Sequence, residues 1–181
     1  MPGTNRALYK NNKVLLETFS ASHKPCIFLS HRSLDKDMVE QIAEFIIGLE
    51  IDVYFDKYDQ DLQSADKLKN DIATTACIQK GVTGSTHVMC ILSPNTISSW
   101  WVPYEIGYGE NMHKKIFSVK MKDVADIYIP SYLKIRDLLI GSEKISEYLF
   151  NIATEYNVLN ESSNFHKKYN FGTTNLLYKY F

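Results

Sequence analysis

Val88-Met89-Cys90-Ile91-Leu92 runs without a polar side chain until Ser93-Pro94-Asn95 ends it. So short a run is strand length. One that is apolar at every position suits a strand covered on both faces, as at the centre of a parallel sheet with helices above and below. Toward the N-terminus, Ile51 to Phe55 is a second such run, and Cys26-Ile27-Phe28-Leu29, after Pro25, is a third. Between these two, Met38, Ile42, Phe45, Ile46 and Leu49 recur at helical spacing. Ser33 is placed to cap that helix, with Asp35 and Asp37 in its first turn. The acidic stretch Asp56 to Gln63 leads to a helix expected from Ser64 to about Gln79, with Leu68 and Ile72 facing inward, before Gly81 and Gly84 break the chain. Beyond the central run, Ser98 or Ser99 starts a helix through about Met112, and Ile116 to Val119 is a fourth strand. Asp126 to Leu133 is read as a fifth, and Ile145, Tyr148, Leu149, Ile152 and Tyr156 mark a last helix capped near Ser142.

Strand and helix alternating at this spacing give an α/β fold. With right-handed crossovers it becomes a flavodoxin-like, doubly wound sheet, mostly parallel, of about five strands with helices on both faces. Three zones follow. Residues 1–24 are an N-terminal extension in which Val14-Leu15-Leu16 and Phe19 read as an added helix covering the sheet edge. Residues 25–158 form the α/β domain. Residues 159–181 are a tail bearing Phe165, Tyr169, Phe171, Tyr178, Tyr180 and Phe181, suited either to docking on a neighbour or to folding back on its own domain. Ligands of such sheets bind outside the carboxyl ends of the strands, so the loops after Leu29, Phe55 and Leu92 are the functional edge.

Composition narrows the class. The 181 residues are 45% hydrophobic, 13% aromatic and 23% charged, with a formal net charge of −1. That supports one sizeable core and no field strong enough to grip nucleic acid or an anionic membrane. Three cysteines (Cys26, Cys77, Cys90), widely spaced and without a CxxC pair, speak against a disulfide framework and for a reducing, cytoplasmic setting. No secretory h-region follows Met1 and no apolar run approaches the roughly 20 residues of a membrane span. Gly81-Val82-Thr83-Gly84-Ser85 is no phosphate-binding loop, since it lacks the Gly-Lys-Ser/Thr ending and precedes a strand. Gly107-Tyr108-Gly109 lacks the third glycine of a dinucleotide fingerprint. His23 and Cys26 have no second ligand pair, so no metal is expected. Nothing reads as a nucleophile elbow.

Trp101-Val102-Pro103-Tyr104-Glu105 carries more information. Four residues apart on a helix, Trp101 and Glu105 share a face. Pro103 is tolerated only in a first turn, which puts both at the helix start, just after the loop that leaves the central strand.

With these residues in place, the chain resembles a TIR domain (Toll/interleukin-1 receptor domain) over about residues 25 to 150. Ile27-Phe28-Leu29-Ser30-His31-Arg32 is similar to that family's first box. Val53-Tyr54-Phe55-Asp56 resembles the second strand running into its mobile loop. Ile91-Leu92-Ser93-Pro94-Asn95, Ser98-Ser99-Trp100-Trp101 and then Glu105 resemble the strand–Ser–Trp–Glu segment of the enzymatic members. Asp56 to Gln63 lacks the Pro-Gly common in animal receptors and adaptors, a departure that counts against receptor-style signalling more than against enzymology.

The resemblance implies a prokaryotic, NAD-cleaving enzyme of the Thoeris-like antiphage kind, an NAD+ glycohydrolase or cyclase. Glu105 would be catalytic. Ser30, His31, Arg32, Asp56, Leu62 and Trp101 would contact or border the substrate. It implies no cofactor, NAD+ itself being the substrate, and neither nucleic acid nor membrane as a partner. It also implies a homo-oligomer on activation and an effector protein that responds to the product. Because the leaving group is a pyridinium departing as neutral nicotinamide, one carboxylate suffices and no general acid is needed. Two other functions fit the same residues. One is a non-catalytic TIR-like adaptor or assembly module. The other is a nucleoside deoxyribosyltransferase-like enzyme, which also sets a carboxylate against an N-glycosidic bond on a flavodoxin-like fold.

Overall fold

The computed structural model of the chain describes residues 3–9, 23–158 and 176–181. Among them five strands pair into one all-parallel sheet in the order β2-β1-β3-β4-β5. The strands are β1 (Cys26–Ser30), β2 (Asp52–Tyr54), β3 (His87–Leu92), β4 (Lys115–Lys120) and β5 (Asp137–Ile140). The helices between them are α1 (Lys36–Gly48), α2 (Gln60–Lys67), α3 (Asp71–Thr83), α4 (Trp101–Asn111), the single turn α5 (Ser131–Lys134) and α6 (Ser142–Glu155). This is the flavodoxin-like order, and its switch point lies between β1 and β3.

Both faces of the sheet are covered, so β3 is buried at every position. Alternate side chains of β1 serve two separate cores. Ile27 and Leu29 join Val39, Ile42 and Ile46 of α1 and Ile145, Leu149 and Ile152 of α6 on one face. Cys26 and Phe28 join Leu62 of α2, Ile78 and Val82 of α3 and Val102 and Ile106 of α4 on the other. The end of the chain adds to the first core. Leu177 and Phe181 are buried there, and the Tyr180 hydroxyl donates to Gln41 Oε1 of α1 at 2.8 Å. Phe165, Tyr169 and Phe171, like the helix expected at Val14–Phe19, lie outside the described residues. Residues 3–9 lie along the open edge of β2. Asn5 bridges to Val53, its side-chain amide exchanges hydrogen bonds with the backbone of Phe55, and Arg6 pairs with buried Asp52 at 2.9 Å. That edge is thereby kept from pairing elsewhere.

Several sequence expectations are corrected. The single helix from Ser64 to Gln79 is two, α2 and α3, and Leu68 and Ile72 are exposed. Asp59 caps α2 by accepting from the amides of Asp61 and Leu62, and Asn70 caps α3 by accepting from that of Ala73. With Lys69 at φ 51 between them, the chain turns and both apolar residues swing outward. Gly81 does not break the chain. It lies inside α3, where a Cβ would meet the Tyr54 ring at 2.5 Å, so its role is close approach to β2. Ser33 starts a 3₁₀ turn and does not cap α1. Asp126 to Leu133 is no strand but a 3₁₀ turn and the start of α5. The fifth strand follows at Asp137–Ile140, directly before Gly141, which takes φ 90 to enter α6.

Candidate active site

The site is assembled from the carboxyl ends of β1 and β3. Ser30 ends β1, and Glu105 lies one turn into α4, the helix after β3. Ser30 Oγ donates to Glu105 Oε2 at 2.5 Å, and both groups are buried. Burial of the carboxyl pushes Glu105 up from the ordinary value of 4.5 to about 8. The Ser30 hydrogen bond pulls it back down, and the negative charge of Asp56 pushes it further up.

Each loop around this pair is held by its own polar residues. Asp35, just before α1, accepts from Ser93 Oγ at 2.5 Å and from Asn95 Nδ2 at 2.6 Å. Ser93 Oγ accepts in turn from the amides of Asn95 and Thr96. This knot fixes the turn leaving β3, and Ser99 Oγ then accepts from the amide of Val102 to open α4. In the loop after β2, the Tyr54 hydroxyl donates to Asp59. Tyr58 and Lys57 of the same loop both reach Glu40 of α1. The start of α4 is braced against α3 by Gln79, which donates to the Tyr104 hydroxyl at 2.7 Å, while the Trp101 ring packs edge-on against Tyr104.

Between these loops lies a cleft of about 380 Å³. His31, Arg32, Asp56, Leu62, Trp101 and Glu105 all line it, and Ser30 sits beneath, bonded to Glu105. Every residue proposed from sequence for this site is therefore within the one cleft or directly under it. Arg32 also donates to the Ser98 carbonyl at 3.3 Å, which ties the β1 loop to the β3 loop. His31 is buried, its ring against Phe55, with Nδ1 2.8 Å from the Leu29 carbonyl and Nε2 3.4 Å from Asp56 Oδ1. Sequence reasoning missed Lys36, Asp66 and Trp100, which line the same cleft. Trp100 is 92% exposed, so no burial pattern marks it.

A larger hollow of about 1040 Å³ lies at the opposite ends of the strands, bordered by Lys24, Ser85 and Thr86. Arg6 and Lys24 beside it are paired with Asp52. The smaller cleft is the better candidate, because it stands at the switch point and holds a buried carboxylate with a hydroxyl partner. Among the described residues no group of three or more His, Cys, Asp or Glu is placed to hold a metal ion. No helix among them is long and apolar enough to cross a membrane.

A parallel 2-1-3-4-5 sheet whose switch-point cleft joins a serine at the end of β1 to a glutamate at the start of the helix after β3 places the chain among the flavodoxin-like α/β domains. The sequence model of the TIR domain matches residues 27–145, more than half of the chain, and the chain belongs to the TIR domain family. Two curated relatives are similar to parts of it. "Putative cyclic ADP-D-ribose synthase TIR2" of Cytobacillus dafuensis is 25% identical over 103 residues, 55% of this chain and 26% of that protein. "Probable 3' cyclic ADP-D-ribose synthase ThsB'" of Bacillus cereus (strain MSX-D12) is 30% identical over 90 residues, 50% of this chain and 46% of that protein. The matches thus span about a quarter and just under half of the relatives' own lengths.

Proposed function

We propose that the protein cleaves NAD+ between nicotinamide and ribose, with Glu105 as the catalytic carboxylate, in an antiphage signalling role. The observation that carries this is the buried Glu105–Ser30 pair at the base of a cleft of ligand size at the switch point. The names of the two relatives support it.

The chemistry follows from charge. When the C1′–N1 bond breaks, its electron pair goes to the pyridinium nitrogen, and nicotinamide leaves neutral. The ribose carbon is left as an oxocarbenium cation. A carboxylate beside it is stabilising only when ionised, and burial holds Glu105 near the point where it gains or loses its proton. A bound pyridinium ribose supplies the opposite charge that favours ionisation. As positive charge moves onto C1′, the desolvated carboxylate acts on it without reorganisation by water. Trp101, more than a third exposed at the cleft wall, shields that face. Arg32 and Lys36, on the β1 side, suit the diphosphate. Capture of C1′ by water gives ADP-ribose and a proton, while capture by a nucleophile of the same molecule gives a cyclic ADP-ribose, one water lighter, and a proton.

Self-assembly on activation belongs to the same proposal, supported by the exposed Trp100, Leu34 and Ile97. So does a reducing cytoplasmic setting, supported by Cys26, Cys77 and Cys90, all free. An effector protein would then read the product.

The test is incubation of concentrated wild-type and Glu105→Ala protein with NAD+, with the products separated by liquid chromatography and weighed by mass spectrometry. Nicotinamide from the wild type alone is the expected result. A second product lighter than ADP-ribose by one water identifies cyclisation. Equal nicotinamide release by both proteins, or none at any concentration, overturns the reading.

A further inference from the structure

His31 and Asp56 meet as two acceptors unless a proton lies between them. A carbonyl oxygen can only accept, so the 2.8 Å contact with the Leu29 carbonyl places a proton on His31 Nδ1. In a neutral imidazole, Nε2 would then be a bare acceptor. It faces Asp56 Oδ1, another acceptor, at 3.4 Å, a gap too small for a water between them. Both atoms are shut off from solvent, and among the described residues neither has a hydrogen-bond partner. Two desolvated acceptors held face to face are costly, and a proton on Nε2 turns the contact from repulsive to attractive.

We propose that His31 is an imidazolium whose Nε2–H holds the Asp56 carboxylate, clasping the loop after β2 to the end of β1 beside Glu105. The clasp joins the two cleft walls that no backbone pairing connects, because β2 ends at Tyr54 while the pairing of β1 with it ends at Phe28. Its positive charge also offsets Asp56, the carboxylate whose field bears on Glu105. The other charged groups of the cleft are Arg32, next in the chain, Lys36 at the start of α1, Asp66 of α2 and Glu105 of α4. His31 and Asp56 are thus positioning residues, a role that rests on reading the cleft as the substrate site.

The proton is read directly by long-range ¹H–¹⁵N correlation of the histidine rings in the full ¹⁵N-labelled chain at neutral pH. The His31 ring is identified through its contact with Phe55. Expected are two protonated ring nitrogens in the wild type, and a proton on Nδ1 alone in Asp56→Asn, where the new amide can donate to Nε2. A wild-type ring protonated at Nδ1 only overturns the proposal, and so does a ring doubly protonated in both proteins. If Asp56→Asn does not fold, the wild-type spectrum decides alone. On the proposed reaction, Asp56→Asn raises KM for NAD+ about fivefold, the worth of a partly exposed ion pair, and changes kcat less. If neither protein cleaves NAD+, the proposed function fails, and the ring spectrum still decides the clasp.

Discussion

Replacing Glu105 by Gln removes a pH dependence of stability that the fold imposes on this one carboxyl. The side chain is held near 8 in the folded protein against 4.5 when unfolded, chiefly because it is buried. The folded state therefore keeps a proton that the unfolded state releases, and stability falls as pH rises from the lower value through the higher. Between pH 5 and pH 9 the unfolded carboxyl loses nearly all its remaining proton occupancy, while the folded one loses its proton only over the last pH unit or so. Integrating that difference at about 1.4 kcal/mol per pH unit gives about 4 kcal/mol of stability lost by the wild type over this interval. Gln cannot ionise, and its carbonyl still accepts from Ser30. Whatever constant offset the amide introduces cancels in the comparison across pH, as do the contributions of titrating groups that do not interact with Glu105. The assay is urea denaturation of both proteins at pH 5, 7 and 9, with ΔG extrapolated to water. The stability of Glu105→Gln relative to the wild type should rise steadily and be about 4 kcal/mol greater at pH 9 than at pH 5. Parallel curves would refute the argument, because they would mean that the carboxyl is solvated and titrates alike in both states.

Two further outcomes follow from neighbouring geometry. Ser30→Ala deletes the hydroxyl that favours the ionised carboxylate, so in the proposed reaction the rise of rate with pH should move about one pH unit alkaline; an unmoved pH–rate profile would show that the bond does not bear on Glu105. Gly81→Ala places a methyl against Tyr54, whose ring is stacked on Phe28 and whose hydroxyl is tied to Asp59. It should cost about 1–3 kcal/mol, seen as a lower urea midpoint at unchanged slope, and an unchanged midpoint would mean that the ring yields freely.

Much of this molecule was legible because its decisive signals are local. An unbroken apolar run such as Val88–Leu92 has few uses besides a doubly covered strand, and the run of α1 repeats at helical period without interruption. Trp101 and Glu105 could be placed on one face because four residues is one helical turn. What stayed hidden depends on partners distant in sequence. Asp35 looks like an ordinary charge in a helix's first turn, yet its carboxylate is committed to Ser93 and Asn95, 58 and 60 residues away. Gly81 looks like a breaker until Tyr54 is seen packed against it. The division of α2 from α3 turned on Asp59 and Asn70, either of which could have been a plain loop residue. The fifth strand lies later than Asp126 to Leu133, at an edge where Leu138 and Leu139 are only half-buried and Ile140 is exposed, so its residues carry no strong burial pattern.

Ser30 and Glu105 are 75 residues apart, and they are brought together by the pairing of β1 with β3, the packing of α4 on both, and the side-chain ties between the β1 and β3 loops. A chain emerging from the ribosome presents Ser30, His31 and Asp56 long before Glu105 exists, and none of these can act on a nucleotide alone. The chemistry proposed here is dangerous to the cell that makes it, since NAD+ is common to all of metabolism. With the two halves of the centre on either side of the switch point, no nascent or truncated product that stops short of α4 carries both, so synthesis itself withholds the proposed activity until β1, β3 and α4 have all been made.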